Sequence, residues 1–147
     1  MQAMATIDQG RPAAGFARVA APAQTGRGMV WTGRAISGFV SIFLLFDGAA
    51  RLVRFAPYVE GTVKFGYPEH LASPIGLVLL AATLLYVIPR TAVLGAILLT
   101  GYLGGATASH VRVEDPFFHF AATFGVLVWV GLYLREPRVR ALIPLRA

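Results

Sequence analysis

The sequence predicts an all-α integral membrane protein, a four-helix bundle with both termini in the cytoplasm (N-in/C-in). Three observations carry this expectation. Of the 147 residues, 56% are hydrophobic and only 14% charged, too apolar for a soluble surface of ordinary charged character. Four apolar stretches each approach the length of about 20 residues that a bilayer crossing needs. The charges fall mostly at the ends and in the connections, where basic residues set topology and meet anionic headgroups. None of the stretches alternates apolar with polar residues, which disfavours a membrane β-barrel and leaves helices to satisfy backbone groups inside hydrocarbon.

Residues 1–30 are rich in Ala, Gly, Pro and Arg and lack an apolar run. They are expected to form a disordered cytoplasmic tail, without the apolar centre of a signal peptide. Met29 stands just ahead of the first apolar segment and marks an alternative start. Residues 31–147 then form one transmembrane domain, with spans at about 31–53, 71–88, 91–109 and 116–134. The first span contains the uncharged stretch 35–46, followed by Asp47 and Arg51. Pro74 falls in the first turn of the second, where a missing N–H costs little. Little more than Pro89 and Arg90 separates the second and third, so they must form a tight antiparallel hairpin. The connection 54–70 carries Pro57, Gly61, Gly66, Tyr67 and Pro68, a turn-rich composition with room for a short interfacial helix. Residues 111–115 make the last connection.

Orientation follows from the thirteen Lys and Arg residues. Arg11, Arg18, Arg27, Arg34, Arg90, Arg135, Arg138, Arg140 and Arg146 fall on one side, and Arg51, Arg54, Lys64 and Arg112 on the other. The richer side is expected in the cytoplasm. Trp31, Tyr86, Trp129 and Tyr133 are placed as an aromatic belt at that boundary, and Phe55, Tyr58, Tyr67, Phe117 and Phe118 at the opposite one.

The chain has no cysteine, which excludes disulfides, thiolate metal sites and thiol redox chemistry carried by its own residues. A net charge of +6 in a soluble protein would raise the question of nucleic acid. Here the placement of the charges points to the lipid bilayer as partner instead, with no nucleic acid. Asp47 and Arg51 are four residues apart, hence on one helical face, and Asp47 lies roughly 12 Å along the axis from Phe55, inside the membrane. Two readings stand for this pair: mutual neutralisation that fixes the rotation of the first helix, or a pair that also lines a ligand pocket. The three histidines lack a two-ligand spacing on a single helix, so no metal site is expected; they read as interfacial hydrogen-bonding groups. Ser109 and His110 are sequence neighbours that point in different directions on a helix, and no catalytic residue is singled out. Gly101-x-x-x-Gly105 sets small residues on one face of the third span, read as packing within the chain ahead of a homodimer seam. Nucleotide-binding glycine patterns fail for want of a following Lys-Ser/Thr or a preceding strand.

The run from Ile88-Pro89-Arg90-Thr91-Ala92-Val93-Leu94-Gly95 to Leu99, followed by His110-Val111-Arg112-Val113-Glu114-Asp115-Pro116, resembles the DoxX-like (DoxX/DoxD-like) small bacterial membrane proteins. Gly66-Tyr67-Pro68 and Gly131-Leu132-Tyr133-Leu134-Arg135 extend the resemblance over residues 31–146. It departs at Glu114, where the resemblance leads us to expect Gly ahead of Asp115. The resemblance implies a four-helix protein of the bacterial inner membrane, whose wider relatives include small subunits associated with quinone-linked or thiol-linked oxidoreduction. The leading expectation is therefore an accessory subunit of a membrane oxidoreductase, not catalytic on its own. Asp47, Arg51, His110 and Arg112 would then line a cavity for a quinone headgroup or lipid. The alternative is a small permease or lipid-binding bundle using the same residues at its outer mouth.

Overall fold

The computed structural model describes residues 26–142; most of the tail expected over residues 1–30 (residues 1–25) and the last residues, 143–147, lie outside them, while residues 27–30 of that tail are helical. Six α-helices follow in order: α1 Arg27–Leu52, α2 Ala56–Lys64, α3 Ala72–Val87, α4 Ala92–Arg112, α5 Phe118–Arg135 and α6 Pro137–Leu142. A single 3-10 turn, Glu69–Leu71, leads into α3. Four helices are long and apolar enough to cross a membrane, with the turn at Glu69 extending the second of them.

The boundaries depart from expectation where no breaker stands. Helix α1 starts at Arg27, not at residue 31, because nothing in 27–30 interrupts it and Met29 Sδ meets the Arg140 guanidinium of α6 at 3.0 Å. Helix α4 runs through His110 to Arg112, past its expected end at 109. The last span begins at Phe118, two residues beyond Pro116, since Asp115 first turns back to cap the Phe117 N–H. The interfacial helix allowed in the 54–70 connection is α2, with Pro57 in its first turn where its missing N–H is harmless. Helix α6 has no apolar period long enough to announce it; Pro137 opens it and buried Val139 docks it.

The four long helices form a ring in which α1 and α4 each pack against both α3 and α5. Val40 and Leu44 of α1, Leu79 and Tyr86 of α3, Leu99 and Leu103 of α4, and Phe124, Val128 and Leu132 of α5 fill the centre. Outward, Ile42, Phe46 and Val126 stand 72%, 63% and 62% exposed. Large apolar surface of this kind is a liability in water and costs nothing in hydrocarbon.

With no hydrophobic drive between helices in lipid, small residues at the crossings let backbones approach and gain van der Waals contact. Helix α1 crosses α3 at Gly48 and Gly76, where a Cβ on Gly76 would stand 2.7 Å from the Gly48 carbonyl oxygen. Helix α4 meets α3 at Gly95, whose missing Cβ would lie 2.2 Å from the Tyr86 amide nitrogen. Gly101, Gly104 and Gly105 behave differently, since nothing lies within 4 Å of a Cβ at any of them. The expected intrachain packing of the Gly101-x-x-x-Gly105 stripe is therefore not found: α3 and α5 pack on other faces of α4.

Tyr86 also departs from its expected place in an aromatic belt. It is fully buried, and its hydroxyl donates to the Val128 carbonyl at 2.9 Å and shares a hydrogen bond of 2.9 Å with Ser37 Oγ. Arg135 donates to the Tyr86 carbonyl at 2.9 Å and lies over its ring. A tyrosine that pins α3 to α1 and α5 has satisfied its polar end inside the protein, so it has no need of the interface. Trp31, 67% exposed, does face outward.

Candidate functional site

The polar residues gather at the end of the bundle where α1, α2 and α4 stop. Each of these helices ends in the same way. The Phe55, Tyr67 and Asp115 N–H groups donate to the Ala50, Thr62 and His110 carbonyls, and Arg54, Gly66 and Glu114 take the left-handed conformation between. This double-bonded termination satisfies orphan carbonyls and favours glycine at the left-handed position. Only Gly66 follows that preference. Glu114 adopts φ 55°, so the loop keeps the conformation expected of Gly despite the substitution.

Asp115 is the joint of this end. Its buried carboxylate accepts from Lys64 Nζ at 2.8 Å and from the Phe117 N–H at 2.9 Å, joining α2 to the start of α5. The Lys64 hydrogen bond, followed by that from Phe117, holds the Asp115 carboxyl below the ordinary carboxylate range. A folded-state pKa below the unfolded one contributes stability that is complete above the ordinary carboxylate range and is lost as pH falls through the folded value. Thermal unfolding in detergent should therefore show the native protein losing stability on acidification below the usual carboxylate range. Asp115→Asn should lower the neutral-pH melting temperature and flatten that acid limb.

Next to this joint lies a cavity of about 230 Å³, lined among others by Arg51, Thr62, Phe65, Tyr102, Ser109 and His110. Arg51 is fixed in it by three bonds, from Nε and Nη2 to the two Asp47 carboxylate oxygens at 3.1 and 3.4 Å and from Nη1 to Thr62 Oγ1 at 3.3 Å. It also stands over the Tyr58 ring, 5.5 Å from the centroid. A guanidinium has five N–H donors. Three are used in these bonds, and the residue also lines the cavity. His110 packs edge-on against Phe65, and its Nδ1 is buried with no hydrogen-bond partner among the described residues. The nearest carboxylate oxygen, on Asp115, is 3.6 Å away, beyond hydrogen-bond range. A buried polar atom left without a partner is costly, and this one has the Asp115 carboxylate as its neighbour.

Of the four residues singled out from sequence, Arg51 and His110 line the cavity. Asp47 acts through Arg51, holding its guanidinium. Arg112 does not line the cavity; it reaches across the outside, donating to the Phe65 carbonyl and covering the Tyr67 ring. It braces the segment after α2 because, two residues beyond His110, it points roughly 200° around the helix from it. Thr62, Phe65 and Tyr102 were not legible as site residues. Tyr102 lies inside an apolar span, and only its position two turns before Ser109 on α4 hints at a shared face. His119 stacks on Phe118 outside the cavity, and among the described residues no cluster of three or more His, Asp and Glu side chains could hold a metal ion.

No curated protein and no solved structure matches the chain. Residues 35–132, more than half of the 147, match the DoxX-like family, a span that takes in all of α3 and α4, most of α1 and α5, and the whole cavity. With four helices long and apolar enough to cross a membrane, the chain is a multi-pass membrane protein and belongs to the DoxX-like family.

Proposed function

We propose that the protein binds the polar head of a membrane-dissolved amphiphile, a quinone foremost, in the Arg51–His110 cavity, as an accessory subunit of a membrane oxidoreductase in a bacterial inner membrane. The observation that carries this reading is that one cavity is lined both by the Arg51 guanidinium, which has donors to spare, and by the His110 imidazole. A quinone carbonyl matches those donors, and the imidazole either accepts or donates according to its protonation. Bound there, a quinone would supply a two-electron couple to a chain whose lack of cysteine denies it thiol redox chemistry. The protein's own part is to hold and orient the head and to exclude water with α2 and Phe65. Nine Lys and Arg on the side of the termini against four on the side of the cavity support a cytoplasmic placement of both ends. Binding is favoured over transport because the cavity lies at one end and each long helix runs unbroken, without the interrupted spans of carriers.

The test is binding of a benzoquinone carrying a decyl chain to protein purified in mild detergent. Loss of one charge-assisted hydrogen bond costs about 1.5–3 kcal/mol, so Arg51→Lys and His110→Ala should each weaken binding by about tenfold or more. A native protein that does not bind the probe, or variants that bind it as tightly as the native chain, would overturn the reading.

A further inference from the structure

We infer that the cavity is entered from within the bilayer, through the seam between α3 and α4, and that its ligand carries an apolar chain that lies in this seam. The inference rests on the binding reading above and adds the route and the shape of the ligand. Helices α3 and α4 run antiparallel from the turn at Pro89. Near that turn they touch backbone to backbone, at Gly95 against Tyr86. Eleven residues make about three turns and return to the same helical face. From Gly95 that step leads to Ala106, and from Tyr86 it leads back to Ile75. These two line the cavity. Over about 16 Å of helix the same two faces thus pass from direct contact to opposite sides of an open volume.

Gly105 stands at the edge of this opening. It lines the cavity and is exposed, and nothing lies within 4 Å of the Cβ it lacks. Leu98, two turns back on nearly the same face, and Val78, one turn from Ile75, are 44% and 59% exposed, so the surface leading away from the opening is apolar. The other approach, from the end of the bundle, is strapped. Tyr67 and Ser109 share a hydrogen bond of 2.9 Å, Arg112 holds the Phe65 carbonyl, and Lys64 holds Asp115 at 2.8 Å. Size supports the same conclusion. Pockets that enclose drug-sized ligands run to about 300–1,000 Å³, and a cavity of about 230 Å³ holds a ring-sized head while leaving a chain outside.

Two probes separate the route from the site: the decyl benzoquinone and the same ring bearing a methyl group in place of the chain. Replacing Leu98 and Val78 together by Gln makes the apolar approach polar without touching a residue that lines the cavity. It should weaken the decyl probe by about tenfold or more while leaving the chainless ring within about twofold of the native protein. Val126→Gln, at an exposed apolar position on α5, should change neither and controls for the added polarity. Retained binding of the chainless ring shows that the site of the double variant is folded. Unaltered decyl binding by the double variant overturns the route, as does an equal loss of both probes. If the native protein binds neither probe, the binding reading itself fails.

Discussion

Gly95→Val is expected to be severely damaging to the bundle, lowering stability by about 3 kcal/mol or more. The reason is local and rigid. A Cβ at this position would stand 2.2 Å from the Tyr86 nitrogen and 2.5 Å from its Cα, and backbone atoms cannot rotate away as a side chain would. The hairpin would have to open, and Tyr86 would lose the hydrogen bonds that tie it to Ser37 and Val128. Gly101→Val is the matched comparison, because nothing lies within 4 Å of its Cβ, and its effect should stay within about 0.5 kcal/mol. Reversible unfolding in mixed micelles, followed by far-UV circular dichroism, measures both. Equal effects at the two positions would show that the α3–α4 contact does not set the geometry on which the seam depends.

The second large effect concerns Asp47 and Arg51, whose side chains are only 16% and 20% exposed and lie within α1. Replacing either one by Leu leaves a charge in a low-dielectric setting without its partner, at a cost of about 3–5 kcal/mol. Replacing both removes the charges together, and most of the loss should be recovered. Recovery of stability with no recovery of quinone binding is the expected combination. It would show that the pair serves the cavity beyond fixing helix rotation. A double variant that binds the decyl probe like the native chain would reduce the pair to a structural role.

Sequence patterning reached the fold because in a membrane the solvent itself imposes the code. Four uninterrupted apolar stretches and a two-residue turn at Pro89–Arg90 leave little choice of architecture. The candidate cavity was legible only where charge is rare in hydrocarbon, at Arg51 with its partner Asp47, and at His110 just inside the end of α4. Arg112 was misread for a physical reason: once α4 continues past residue 109, two positions along the helix separate a residue that faces the cavity from one that faces outward. Tyr86 shows the opposite error, since boundary depth alone suggested an interfacial tyrosine, while Ser37 and Val128 offered its hydroxyl a buried home. The Gly101–Gly105 stripe carried a packing signal that the structure spends on open space. Small residues announce close approach, but not whether the approaching group is a helix or a ligand.

All of these results require that hydrocarbon, not water, cover the outward faces of the four long helices. The absence of cysteine makes this directly measurable, because a single introduced cysteine can carry a spin label without competition. Labels replacing Ile42 and Val126, two of the most exposed apolar residues on α1 and α5, should in reconstituted bilayers relax readily with oxygen and be shielded from a water-soluble nickel chelate. Ready relaxation by the chelate at both positions would place these faces in water and contradict the account at its root.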